Sequence, residues 1–343
     1  MPVYSSDVES VVDYEIDDII FCECENCNAV QLEKIIDPLK VYKWNHNREV
    51  VGKTWENHYQ SFREFIKDVK GKTVLEISDP VAKVATKFND FEKWLIVEPH
   101  AKLNLETSRI FFIDKFFDDS FEFDEKVDII IHSHFFEHTF EPSKFLQKCH
   151  TLLKDDGVMY MSIPNLQNIL NSGFNPNSVL HIEHTFYYDK DILNYLAETN
   201  GFTICDDFDF EGHSIFLKLI KQTDEKKISR RFERASTKFL DNYQKYKNLI
   251  EKINILEENI ILFGCHISSQ FLIYNGLNTE KIIWIIDNSL SKQDKYLYGT
   301  KLLTKSPKVV LEYDAPIVVS HMGIYAKEIK EGLLEIKNDL NFI

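Results

Sequence analysis

The residues HSHFFEH, 132–138, follow the apolar run VDIII (127–131) and gather His132, His134 and His138 in one short loop. Imidazole titrates near neutral pH, so a loop of this composition can take or give a proton. The same histidines can also cap a helix or line a pocket wall. As metal ligands, His134 and His138 would need a third donor from elsewhere in the chain. Near the start, Cys24-x-x-Cys27 with Cys22 close by is half of a zinc knuckle, whose closed form takes four ligands.

Acidic residues close the other apolar runs. TVLEI (73–77) leads into Ser78-Asp79-Pro80, WLIV (94–97) into Glu98, and RIFFIDKFFDD into a short strand ending near Asp114. In open parallel sheets ligands sit beyond the carboxyl ends of the strands. An acid at Glu98 suits the two hydroxyls of a ribose, and it falls 22 residues after Glu76, near the spacing between a first cofactor turn and its ribose acid. As a helix cap ahead of Pro99 it is also accounted for. No glycine lies between Gly71 and Gly157, although a cofactor turn ordinarily uses glycine for close backbone approach. Asp and Ser tolerate unusual turn geometry and Pro80 suits the first turn of a helix. The expectation is a retained nucleoside-cofactor turn followed by a helical stretch.

The elements that must carry these groups alternate. Strands are expected at 73–77, 94–97, 127–131 and 158–163, with a helix over EPSKFLQKCHTLLK (141–154) stopped by Gly157. That rhythm implies a mainly parallel sheet with helices on both faces. Beyond residue 223 a highly charged stretch with helical periodicity reads as one or two connecting helices. A second α/β series follows at 260–264, 281–289 and 315–321. Within it, Gly264 opens a turn with a single glycine, and Asp287 follows the next strand, at a position open to a ribose acid or a plain turn. At 343 residues, 44% hydrophobic and 28% charged, the chain is long enough for two domains and an appendage. Its net charge of −15 argues against a nucleic-acid footprint. No apolar run is long enough to span a membrane, and the acidic N-terminus lacks the basic and apolar regions of a signal peptide. Three of the six cysteines are scattered, so no disulfide framework is expected and a reducing cytoplasm fits.

VLEIxD, WLIVEP, HSHFFEHTFEPSKFLQKCHTLLKDDGVMYMSIPN and HIEHTFYY, in that order and spacing, resemble the successive motifs of class I S-adenosylmethionine-dependent methyltransferases. Within them the chain is similar to the nucleotide-sugar C-methyltransferase group, a resemblance that extends to VQLEKIIDPLKVY, LYGTKLL and SPKVV. The resemblance implies a Rossmann-like core (61–222), an N-terminal zinc-type module (1–60), and a helical linker with a second Rossmann-like α/β domain (223–343). It also implies S-adenosylmethionine as cofactor, held by Glu76, Ser78, Asp79, Glu98, Asp114 and His134. His184 is the implied general base, Glu183 orients or polarises the acceptor, and His138 stands near it; His181 occupies a position where related enzymes can have tyrosine. Tyr42, His46, Asn47 and His58 are implied acceptor contacts, with Gly264 and Asp287 on the nucleotide of a nucleotide-sugar. A second Cys pair like that of related enzymes is missing, so Cys24 and Cys27 read as the vestige of a zinc site. The implied activity is methyl transfer to a sugar in glycan or surface-polysaccharide assembly, by a monomer or homodimer. A non-catalytic homologue is the rival reading, favoured by the missing glycines. A nicotinamide-dependent reductase using the C-terminal block is a more distant one.

Overall fold

The computed structural model describes residues 5–9, 19–25, 27–35, 37, 52–99, 109–171, 180, 183–222, 234–320 and 323–343. In chain order the strands and α-helices are β1 (Ser5–Ser6), β2 (Phe21–Glu23), β3 (Val30–Leu32), α1 (Lys53–Phe65), β4 (Thr73–Ile77), β5 (Lys93–Val97), β6 (Ile110–Ile113), β7 (Val127–Ser133), α2 (Pro142–Leu152), β8 (Leu153–Pro164), α3 (Leu166–Asn171), β9 (Phe186–Tyr187), α4 (Lys190–Thr199), β10 (Phe202–Phe210) and β11 (Ser214–Lys221). There follow α5 (Ser236–Asn254), β12 (Ile260–Phe263), α6 (Ile267–Tyr274), β13 (Ile282–Ile286), β14 (Tyr296–Leu297), β15 (Thr304–Lys305), β16 (Ile317–Val319), α7 (Ala326–Ile336) and β17 (Asn341–Phe342). They fall into two compact units, one formed from 21–168 with 183–235 and the other from 1–20, 169–182 and 236–343.

The first unit is built on a seven-stranded sheet in the order β10-β11-β8-β7-β4-β5-β6. The five strands from β6 to β8 are parallel, and β11 and β10 close the far edge antiparallel. Chain order reverses between β4 and β7, which is where an open α/β sheet leaves a crevice. The strands are apolar on both faces because both are covered. Leu75, Leu95, Ile130, Met159 and Leu217 pack on one side, and Val74, Trp94, Ile96, Ile129 and Phe216 on the other. Helix α1 covers the second face with His58 and Phe62, one turn apart. Helix α2 covers the first with Phe145, Leu146, Cys149 and Leu152, and starts with Pro142 in its first turn, where the missing N–H has no cost. A small antiparallel sheet, β2-β3-β9, belongs to the same unit.

Two expectations about local structure are corrected. Helix α2 runs straight into β8 at Leu153, so Gly157 lies inside a strand and stops no helix. A Cβ at Gly157 would stand 2.9 Å from the Lys154 carbonyl oxygen and 3.2 Å from that of Asp128, so the glycine serves close backbone approach. The stretch after β4 forms turns and a single 3₁₀ turn, Ala85–Lys87, in place of a helix. Ala82 has φ 52°, which no α-helix continues through.

The second unit carries a five-stranded parallel sheet, β15-β13-β12-β16-β17, with Ile261, Ile286, Val310, Val318 and Leu333 at its core. The charged linker contributes α5. No helix among the described residues is long and apolar enough to cross a membrane.

Candidate active site

The crevice between β4 and β7 has an acidic wall and a histidine wall. On the acidic side, Ser78 takes the left-handed conformation (φ 63°) that glycine would ordinarily supply, and its N–H donates to the Val97 carbonyl, 3.0 Å away. Asp79 then folds the turn onto itself, accepting from the N–H groups of Val81 (3.2 Å) and Val84 (3.1 Å). Beneath it Glu76 is fully enclosed and accepts from Trp94 Nε1 at 2.7 Å. Burial, with the Asp79 charge beside it, pushes the Glu76 carboxyl well up; burial also raises Asp79. Glu76 and Asp79 therefore shape the turn from below, with their carboxyl groups committed to protein partners.

Glu98 stands half-buried at the end of β5, and Asp114 is exposed beyond the end of β6. At the end of β7 the Ser133 hydroxyl is buried and has no hydrogen-bond partner. A left-handed turn at Ser78, an acid at the end of the next strand and the Ser133 hydroxyl at the end of β7 fit the ribose and methionine portions of S-adenosylmethionine.

The histidine side comes from three loops. After β7 a 3₁₀ turn, Phe136–His138, presents Glu137 and His138. The segment entering β9 brings His184 against them: the His138 and His184 rings are 4.7 Å apart and perpendicular. The join is pinned by the backbone, with Thr185 N–H donating to the Glu137 carbonyl (2.8 Å) and Leu32 N–H to the Thr185 carbonyl (3.0 Å). The hairpin β2–β3 thus braces the loop that carries Glu183 and His184. Glu137 is buried. Burial alone would raise its carboxyl, but His134 and His138 around it outweigh that and hold it below the usual range.

His134 faces a second group of rings. Its Nε2 hydrogen-bonds Ser214 Oγ at 2.9 Å, its Nδ1 lies 3.2 Å from Glu137 Oε1, and Trp55 stacks edge-on at 4.8 Å. His58 and His213 complete the group: His58 Nε2 hydrogen-bonds Ser162 Oγ at 2.8 Å and His213 Nδ1 bonds Ser214 Oγ at 2.5 Å. Burial drives both imidazoles down in pKa, His213 to about 3. Sequence reading missed Trp55, Ser162, His213 and Ser214, because residues up to 158 positions apart (Trp55 and His213) meet only in the folded chain.

Other expected contacts are placed differently. His58 is inaccessible and turned onto Ser162, so it contacts no acceptor. His134 is turned to Ser214 and Trp55. Asp287, in the second unit, accepts from the N–H groups of Cys265 (2.9 Å) and Ser289 (2.9 Å) and from Lys292 Nζ (3.3 Å). Gly264 has φ 102° in the loop after β12. Cys24 and Cys27 sit in the turn between β2 and β3, packed against the core, and burial raises the Cys27 thiol. Tyr42, His46, Asn47 and His181 lie outside the described residues.

Comparison with known proteins bears on this crevice. No curated protein matches the sequence. Among solved structures, similar chains include one from the complex between the Haloferax volcanii Trm112 methyltransferase activator and a methyltransferase, at 11% identity and TM-score 0.43, covering 51% of this chain and 94% of that one. Others are the 1,6-didemethyltoxoflavin-N1-methyltransferase of Burkholderia thailandensis (12%, TM-score 0.41, 58% and 98% covered) and an S-adenosylmethionine-dependent methyltransferase from Mesorhizobium loti (10%, TM-score 0.38, 47% and 95% covered). A family model described as a methyltransferase domain matches residues 53–206, which span α1 through the first half of β10 and include both walls of the crevice up to His184. Over residues 53–206 the chain is therefore similar to methyltransferase domains.

Proposed function

We propose that the enzyme methylates a sugar, carried as a nucleotide-sugar, with His184 as general base. The observation that carries the chemistry is the perpendicular His138–His184 pair, 4.7 Å between centroids, each histidine preceded in the chain by a buried acid, Glu137 and Glu183. S-adenosylmethionine supplies an electrophilic methyl group on a sulfonium. The acceptor must present a nucleophile in line with it, and that nucleophile has a proton to lose. His184 takes this proton at a ring nitrogen, Glu183 orients the acceptor, and His138 stands against the opposite ring edge. Glu98, Ser78 and Ser133 hold the donor, with Glu76 and Asp79 fixing the turn. Asp114 supports the donor from the end of β6.

The sugar rests on the resemblance of the motifs along the whole chain, from VQLEKIIDPLKVY to SPKVV. In that reading 1–60 form an N-terminal module, 61–222 the methyltransferase core and 223–343 a linker and nucleotide-holding domain, with Tyr42, His46 and Asn47 reaching the acceptor. The test is transfer of a labelled methyl group from S-adenosylmethionine to a panel of nucleotide-sugars and to the matching free sugars. The expected result is label on a nucleotide-sugar, and a loss of about 10²–10⁴ in kcat for His184→Ala with donor binding unchanged by calorimetry. Equal turnover in the variant, or label only on a non-sugar acceptor, overturns the proposal.

A further inference from the structure

Glu137 poses a problem that methyl transfer alone leaves open. It is 2% exposed, and neither carboxylate oxygen is satisfied by a well-formed hydrogen bond. A buried anion left in that state is costly unless a cation or donors meet it. Two imidazoles stand beside it. One ligand atom from each of Glu137, His138 and His184 lies within 4.8 Å of the other two. Among the described residues this is the group of three potential ligands that comes together, and the cysteines are not part of it.

We propose that Glu137, His138 and His184 hold a divalent transition-metal ion. Two nitrogens and one carboxylate suit zinc, cobalt or nickel, whereas magnesium and calcium select oxygen ligands throughout. Metal–nitrogen bonds of about 2.0–2.1 Å put tetrahedral ligands about 3.4 Å apart. The cluster therefore closes by roughly an ångström when the two half-buried rings turn about their side-chain torsions. His134, 3.2 Å from Glu137 Oε1 and tied to Ser214 through its other nitrogen, supplies the outer support that orients a ligating carboxylate. The main chain is held as well, since Thr185 bonds the Glu137 carbonyl from both its N–H and its hydroxyl. Three protein ligands leave a coordination position open toward the exposed side of the rings. A nitrogen that ligates a cation has no lone pair left for a proton, so the metal-loaded site and His184 acting as a base are alternative states of the same rings. Only this last consequence rests on the proposed function; metal binding stands apart from it.

The test titrates the full-length chain, after chelator treatment, with Co²⁺ followed by visible absorption and with Zn²⁺ followed by calorimetry. The variants are His184→Ala, Glu137→Gln and the pair Cys24→Ser with Cys27→Ser. The expected result is one ion per chain with a nitrogen/oxygen-type cobalt spectrum, free of a thiolate-to-metal band. Affinity falls at least tenfold in His184→Ala and Glu137→Gln and is unchanged in the cysteine pair. Far-ultraviolet circular dichroism confirms that each variant is folded, and His184→Ala, at a half-buried position, decides the matter if Glu137→Gln is not. Absent binding, equal affinity in His184→Ala, or loss confined to the cysteine variants overturns the site.

Discussion

His132 makes the fold sensitive to acid, and substituting it measures that sensitivity directly. It lies in β7 between Ile77 of β4 and Met161 of β8, fully buried, with both ring nitrogens unpartnered. Its ring packs against Phe145 at 5.3 Å and against Phe135 and Phe136 at 6.3 Å. Burial holds its pKa down to about 3, against 6.5 for an unhindered imidazole. Below pH 6.5 the unfolded chain therefore binds a proton that the folded chain refuses. Stability from this group is fully present above pH 6.5 and is lost progressively as pH falls toward 3. At pH 5 the loss is about 1.5 pH units at 1.36 kcal/mol each, or about 2 kcal/mol. His132→Phe keeps an aromatic ring in an aromatic pocket and removes the titration. It also relieves two unsatisfied polar atoms, an effect of about 1–3 kcal/mol at neutral pH, offset in part by the larger ring. Urea unfolding at pH 7 and pH 5, followed by tryptophan fluorescence, measures both terms. The expected outcome is a variant whose advantage over the parent grows by about 2 kcal/mol between pH 7 and pH 5. Parallel pH dependences for the two proteins would refute the argument, since they would mean His132 is equally protonated in both folded and unfolded states.

Three further outcomes are expected. Glu98→Ala weakens S-adenosylmethionine about 10- to 150-fold by calorimetry, the equivalent of a hydrogen bond to a charged group of about 1.5–3 kcal/mol; unchanged affinity removes Glu98 from the donor site. Glu76→Gln removes a pH dependence from the core: the buried carboxyl has a raised folded pKa, so its contribution is present at low pH and lost as pH rises through that value. Melting temperature of the parent relative to the variant should fall as pH rises across that range; a constant difference between the two would refute the assignment. Asp287→Ala leaves two buried N–H groups without acceptors and destabilises the second unit by about 2–4 kcal/mol; unchanged stability in chemical denaturation would refute that structural role.

The strands of both α/β series, the motif order and the acids at strand ends were legible in the sequence because each depends on local periodicity or on residues a few positions apart. The run TVLEI must be buried on both faces, and Glu98 must follow WLIV, whatever the rest of the chain does. The missing glycines were legible too, but their consequence was not. Ser78 and Ala82 take positive φ because Asp79 captures two N–H groups of the same turn, and that capture ends the helix expected after it. Side-chain partners across the sheet were out of reach of any local pattern. His58 meets Ser162 and His134 meets Ser214 only once β7, β8 and β11 lie side by side and α1 crosses above them. The same holds for Asp287, whose strand-end position reads as a ligand acid until the neighbouring loop donates to it. Sequence determined which chemical groups stand at the carboxyl edge of the sheet, since strand length and alternation fix that. Tertiary structure decided which of them are spent on one another, as His58 is on Ser162 and His134 on Ser214, because hydrogen-bond partners are chosen by proximity in space.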